Sequence, residues 1–154
     1  MDIDRNAAAT GKGDIQIAAS PQTVYSVISA IGEWPSWNPD IRSVKLDGPA
    51  KPGGVFRWKS GPSTLTSTLE VVDPPQEIGW TGTTMGITAR HVFRFEAKDG
   101  GTLARSEESW NGVLARLFRG YSRNAIAKAI GGMLSHLKVE AERRVAAGET
   151  TPQD

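Results

Sequence analysis

From Ile41 to Trp110 the chain carries runs of β-branched and aromatic residues separated by DGPAKPGG, SGPS, DPPQ, TGTTMG and KDGG, and no helical period interrupts them. Each separator is rich in residues that turn a chain tightly, so the runs read as strands joined hairpin to hairpin. Strands joined in this way pair antiparallel, because parallel neighbours need a long crossover between them. A large part of the 154-residue chain is thereby committed to one antiparallel sheet.

The flanks supply what covers that sheet. DIQIAA, Asp14 to Ala19, alternates as a first strand, and residues 1–12 read as a small, polar, mobile tail. Ser20 before Pro21 is an N-cap followed by proline at the first helical position, with Val24, Val27, Ile28 and Ile31 on one face and Gly32 as the stop. The prolines at 35 and 39 allow only one short helical turn through EWPSWN.

After Gly112 the pattern is helical to about Val145, and residues 146–154 read as a polar tail. This helical region carries two apolar stripes. Leu114, Leu117, Phe118, Tyr121, Ala125 and Ala129 form one; Ile126, Ile130, Met133, Leu137 and Ala141 form another, rotated around the axis. A straight helix cannot bury both against one surface, so a bend at Gly131–Gly132 or a break between Arg119 and Ser122 is expected. The whole reads as one α+β domain over residues 13–145: two short helices after the first strand, a curved antiparallel sheet of about seven strands, and a long C-terminal helix against its concave face.

Composition removes several kinds of chemistry. With 18 basic and 17 acidic residues there is no charge excess for binding nucleic acid. There is no cysteine, and the only histidines, His91 and His136, stand outside any metal-binding spacing, so no metal and no cofactor is expected. The glycine pairs at 53, 100 and 131 lack a phosphate-binding context. No apolar run is long enough for stable membrane insertion, and the chain reads as cytoplasmic. The cluster Arg116, Arg119, Arg123 and Lys128 reads as a solvated helix face with acidic partners nearby, rather than a phosphate or membrane-surface patch.

The order EWPSWNPDIRSV, VVDPPQEIGW and HVFRFEAKDGGTLARSEESWNG before the last helix resembles the START-like helix-grip superfamily (SRPBCC), in its polyketide cyclase/dehydrase and lipid-transport branch. The resemblance runs from Gly13 to Arg143. It implies a sheet wrapped around the C-terminal helix, with Trp34 and Trp37 closing one end of the grip as packing residues. It also implies a function that ranges from carriers of hydrophobic ligands to aromatic cyclases, so the fold leaves the function open.

Strand alternation then sorts the faces. His91 and Phe93 oppose Arg90 and Arg94, Phe56 and Trp58 oppose Arg57 and Lys59, and Ile78 and Trp80 share the inner face of their strand. In TLARSEESWNG the set Ala104, Ser106, Glu108 and Trp110 is taken as inner, which brings a carboxylate inside. Such a carboxylate needs a donor, a water cluster or a ligand, or its pKa rises. Phe56, Trp58, Trp80, Phe93 and Trp110, with Met133 and Leu137 from the helix, would line a largely apolar pocket in which His91 and Glu108 are the polar groups. The rings equally suit a filled interior, and His136 reads as a surface residue.

Three functions fit. The first is binding of a small hydrophobic or aromatic molecule, lipid-like or polyketide-like. The second, which follows the cyclase/dehydratase branch, is an enzyme with His91 and Glu108 as acid and base. The third is a protein-interaction module with a solid core. Oligomeric state is left open.

Overall fold

The computed structural model describes residues 1–149. Strand β1 (Ala9–Ile17) is followed by helix α1 (Pro21–Ser29), a 3-10 turn (Ile31–Glu33) and the one-turn helix α2 (Trp34–Trp37). The strands β2 (Ile41–Asp47), β3 (Val55–Ser60), β4 (Ser63–Asp73), β5 (Glu77–Thr84), β6 (Ile87–Lys98) and β7 (Gly101–Asn111) come next, and α3 (Val113–Leu117) and α4 (Arg119–Ala146) end the chain. The seven strands form one antiparallel sheet in the order β1-β7-β6-β5-β4-β3-β2. Hairpin order governs β2 to β7; β1 joins the far edge beside β7. This is the expected α+β helix-grip architecture.

Local chemistry sets the helix starts. Ser20 Oγ accepts the Thr23 N–H at 3.2 Å, and Pro21 occupies the first turn, where a missing N–H costs nothing. Thr23, Val24, Tyr25, Val27 and Ile28 then face inward. Pro35 opens α2 in the same manner, and Asn38 leaves the helix in an extended conformation.

The first strand begins at Ala9 rather than Asp14. Its inward positions are Ala9, Gly11, Gly13, Ile15 and Ile17, because they pair with Trp110, Glu108, Ser106, Ala104 and Thr102 of β7. The alternation is present, but glycine stands where an apolar side chain would reveal it. Helix α4 lies against this strip: a Cβ on Gly11 would run into the Cγ2 methyl of Ile126, and one on Gly13 would come within 2.9 Å of Ile130 Cγ2. Residues before Ala9, expected as a mobile tail, lie on the convex face. Ile3 is buried, Asn111 Nδ2 donates to Asp4 Oδ2 at 2.6 Å, and the terminal ammonium of Met1 pairs with Glu77. Arg94 binds the same Glu77 through Nε at 3.0 Å and Glu107 through Nη1 at 2.9 Å. Both polar anchors and the buried Ile3 and Ala8 therefore tie this segment to the sheet. At the other end α4 reaches Ala146, and residues 150–154 of the polar tail lie outside the described residues.

The helix breaks at Phe118 (φ −110°, ψ 47°), which leaves Leu114 and Leu117 on α3 and carries Tyr121, Ala125 and Ala129 into α4 beside the second stripe, while α4 runs through Gly131–Gly132 without interruption. Of the two expected devices, the break near Arg119 is the one used. Ile126, Ile130, Met133, Leu137 and Ala141 enter the core. Leu114, Leu117, Phe118 and Tyr121 remain exposed. No helix among the described residues is long and apolar enough to cross a membrane.

Candidate functional site

Cross-strand pairing aligns residues in rows across the concave face, since directly opposed residues share a face. One row runs Gly11, Glu108, His91, Trp80 and Leu69 from β1 to β4. Leu69 falls into this row just before the irregularity between Leu69 and Val71. The inward assignment of Glu108 and Trp110 is matched by burial: Glu108 is 8 % exposed and its neighbour Glu107 faces the Arg94 cluster outside.

The polar centre is small. Glu108 Oε1 accepts the Trp110 indole N–H at 2.8 Å, and Glu108 Oε2 lies 3.7 Å from His91 Nδ1. His91 Nε2 shares a 2.7 Å hydrogen bond with Ser106 Oγ, and its ring stacks on Phe93 with centroids 4.7 Å apart. Burial pushes the Glu108 carboxyl up to about 7, with the Trp110 hydrogen bond pulling the other way. Burial alone pushes His91 down to about 3. The separation of 3.7 Å is short enough for an ion pair, but a neutral imidazole cannot form one, so between about pH 3 and 7 the geometry is a contact between two uncharged groups. The donor that an inward carboxylate needs is the indole of Trp110.

Around this pair the expected lining residues separate into two sets. Phe56, Trp80, Phe93 and Leu137 are fully or almost fully buried, and Met133 is nearly so. Trp34 is completely enclosed, its indole donating to the Ile28 carbonyl at 2.8 Å and its ring lying 5.4–5.7 Å from those of Phe56, Trp58 and Trp80. It fills the space between sheet and helices at that end, as a packing residue. Trp37 is half-buried, and its indole N–H has no partner among the described residues. Trp58 and Trp110 are half-buried too, and Trp58 borders Trp34 on one side.

Between those two indoles the sheet carries small side chains. The next row reads Ala9, Trp110, Ala89, Gly82, Ser67 and Phe56. Trp58 Nε1 donates to Ser67 Oγ at 3.1 Å, and a Cβ on Gly82 would meet the same oxygen at 2.8 Å. Ala89, Leu65 and Ile87, like the two tryptophans, are only half-buried, so the concave face opens here. The floor residues Ser67, Gly82 and Ala89 were missed from the sequence. Ile126 and Ile130, expected on the same stripe as Met133 but not among the lining residues, are the helix residues level with Glu108, whereas Met133 reaches the buried Asn38, whose Nδ2 lies 3.2 Å from its sulfur. The signal for them was the glycine pair in β1.

Three surface clefts lie outside this concavity. One, of about 610 Å³, is lined by Asn111, Gly112, Val113, Arg116 and Leu117 just beyond Trp110; the others border Glu77–Arg94 and the β2–β3 connection. Among the described residues no group of three His, Asp or Glu side chains is placed to hold a metal ion. His136 stands partly exposed with Nε2 3.9 Å from Asp40.

A seven-stranded sheet gripping a C-terminal helix, with an aromatic concave face, defines the helix-grip class. The sequence matches the family of polyketide cyclase / dehydrase and lipid transport proteins over residues 8–142, and the chain belongs to that family. In structure it is similar to the Zhui aromatase/cyclase from a Streptomyces species, with 18 % identity, a TM-score of 0.77 and coverage of 92 % of this chain and 98 % of that one. A START superfamily protein from Mycobacterium smegmatis gives a TM-score of 0.69 at 14 % identity, covering 87 % and 97 %. Norcoclaurine synthase from Thalictrum gives 0.70 at 10 % identity, covering 88 % and 94 %. Identities this low carry the fold alone. No protein of curated function shows a significant sequence match.

Proposed function

We propose that the protein binds a small hydrophobic or aromatic molecule at the open end of the concave face, between the indoles of Trp58 and Trp110. The supporting observation is the low floor of Ala89, Gly82 and Ser67 between two half-buried tryptophans, with a carboxyl that is uncharged below pH 7 beside it. Indoles supply apolar contact area, and a neutral Glu108 offers one O–H donor to a carbonyl or hydroxyl of the ligand. Phe56, Trp80, Phe93, Met133 and Leu137 then act as the rigid wall behind the site. His91 fixes the carboxyl's surroundings through Ser106. The test is a titration of tryptophan fluorescence with a panel of small aromatic and fatty compounds, on the wild type and on Ala89→Phe. Saturable binding that Ala89→Phe abolishes, at unchanged melting temperature, supports the reading. A panel without a binder, or binding indifferent to Ala89→Phe, overturns it.

A second reading is favoured by the 3.7 Å approach of His91 and Glu108: a cyclase-like or dehydratase-like enzyme in which a neutral carboxyl donates a proton and a neutral imidazole accepts one. Here Glu108→Gln abolishes turnover of a polyketide-like substrate and leaves its binding intact. Turnover that survives the substitution ends this reading.

A further inference from the structure

Five of the nine residues from Val113 to Tyr121 are large apolar side chains left in solvent, among them Val113 at 81 %, Leu117 at 70 % and Tyr121 at 76 % exposed. Monomeric proteins seldom leave such side chains together on the surface without a use for them. The second stripe alone faces the core, so Tyr121 on α4 and the apolar side chains around the break at Phe118 are left outside. Interleaved with them are Arg116, Arg119 and Arg123, all exposed. No Asp or Glu occurs between Asn111 and Glu140, and among the described residues none of these three arginines has an ion-pair partner. The acidic neighbours expected for a solvated basic face are missing.

A second element extends the patch. The β5–β6 turn abuts Gly112, where φ is +126° and a Cβ would strike the Gly86 carbonyl. At its tip Met85 is 71 % exposed and holds φ 44°. With Gly86 also at positive φ, this turn geometry favours Asn-Gly. A methionine there is unfavourable for the backbone and exposes apolar surface, so folding gives no reason for it. Protruding apolar side chains among unpaired arginines match the interface of an anionic bilayer, where apolar groups enter the headgroup boundary and cations meet lipid phosphates.

We propose that Met85, α3 and the first turn of α4 form a docking surface for anionic lipid membranes, reversible and without insertion of a helix. The surface continues into the open end of the concave face through Trp110, Asn111 and Gly112. Docking stands whether or not that face takes a ligand.

The experiment is co-sedimentation of the full chain with vesicles of phosphatidylcholine alone and of phosphatidylcholine with phosphatidylglycerol. The anionic vesicles should bind at least about tenfold more tightly, and salt should weaken them, since exposed charges are screened within about 10 Å at 0.1 M. Leu117→Asp and the pair Arg116→Glu, Arg119→Glu should each lower binding about tenfold or more at unchanged melting temperature, the expected direction for interfacial anchors. Met85→Asn is the sharper variant: it should weaken binding while leaving the melting temperature equal or higher. No preference for anionic vesicles, or binding that these variants leave intact, overturns the proposal. So does a wild-type dimer that Leu117→Asp turns into a monomer, which makes the patch a self-interface, and so does capture by a soluble acidic protein with no vesicle binding.

Discussion

The Oε1 atom of Glu108 accepts the indole N–H of Trp110 at 2.8 Å, two residues further along the same face of β7. The bond favours the ionised form of a carboxyl that burial drives toward the neutral one. Trp110→Phe removes the donor and keeps most of the ring, so the Glu108 pKa should rise further above its present value of about 7. A titration of the Glu108 carboxyl carbon by NMR reads this directly, and an unchanged midpoint would show that the indole does not restrain it.

The two buried groups pull stability in opposite directions with pH. Glu108 is raised from an ordinary 4.5 to about 7, so the native state favours its protonated form and loses stability as pH climbs from about 4.5 to about 7. His91 is lowered from 6.5 to about 3, so its contribution is complete above 6.5 and is lost as pH falls toward 3. Between about 4.5 and 6.5 the slopes cancel and the wild type should show a plateau. Glu108→Gln removes one slope only. Its stability relative to wild type should grow across pH 4.5–7 by on the order of 2–3 kcal/mol, measured by urea unfolding at several pH values. A constant offset would place the carboxyl in water.

Gly11 faces Ile126 with no room for a side chain. Gly11→Val should destabilise by about 1–3 kcal/mol, the usual effect of overpacking. Because the clash is with a branch methyl near the helix backbone, the strand or α4 must move. Ile126→Ala in the same chain should recover part of the loss, and a double-mutant cycle in denaturant gives the coupling. Additive losses would mean that helix and strand do not meet there.

Trp34 is the largest fully buried side chain, and it satisfies the Ile28 carbonyl. Trp34→Ala should lose about 3–5 kcal/mol, as for other buried aromatics. Trp34→Phe should lose less, because it keeps most of the ring's packing, and part of what it does lose comes from the Ile28 carbonyl left unpaired. Equal and small losses in both variants would contradict the close contacts with Phe56, Trp58 and Trp80.

The sheet was legible because turn residues and β-branched runs mark strands wherever side chains advertise the period. It failed in β1, where Gly11 and Gly13 occupy inward positions and show no hydrophobicity, so the strand was set five residues late. The inward direction of His91, Phe93, Glu108 and Trp110 followed from charge on the opposite face. Which of the rings are core and which border an opening did not, because that depends on how Trp34 and α4 fill the concave face from outside the sheet. The helix break was foreseen from two incompatible stripes. The stripe left outside was not, since spacing records that residues share a face and not what meets it.

The strand order carries a kinetic consequence. β1 is among the earliest elements in the chain, yet its one partner is β7, and the glycine strip that receives α4 is on that same strand. Hairpins from β2 to β7 can zip locally as they form, whereas the β1 edge must wait for a loop of most of the chain to close. Until then the outer edge of β7 is unpaired and the apolar side of α4 has no seat. If the hairpins form first, the strand order leaves an open strand edge and an unseated helix until β1 docks, a combination that favours aggregation or chaperone binding.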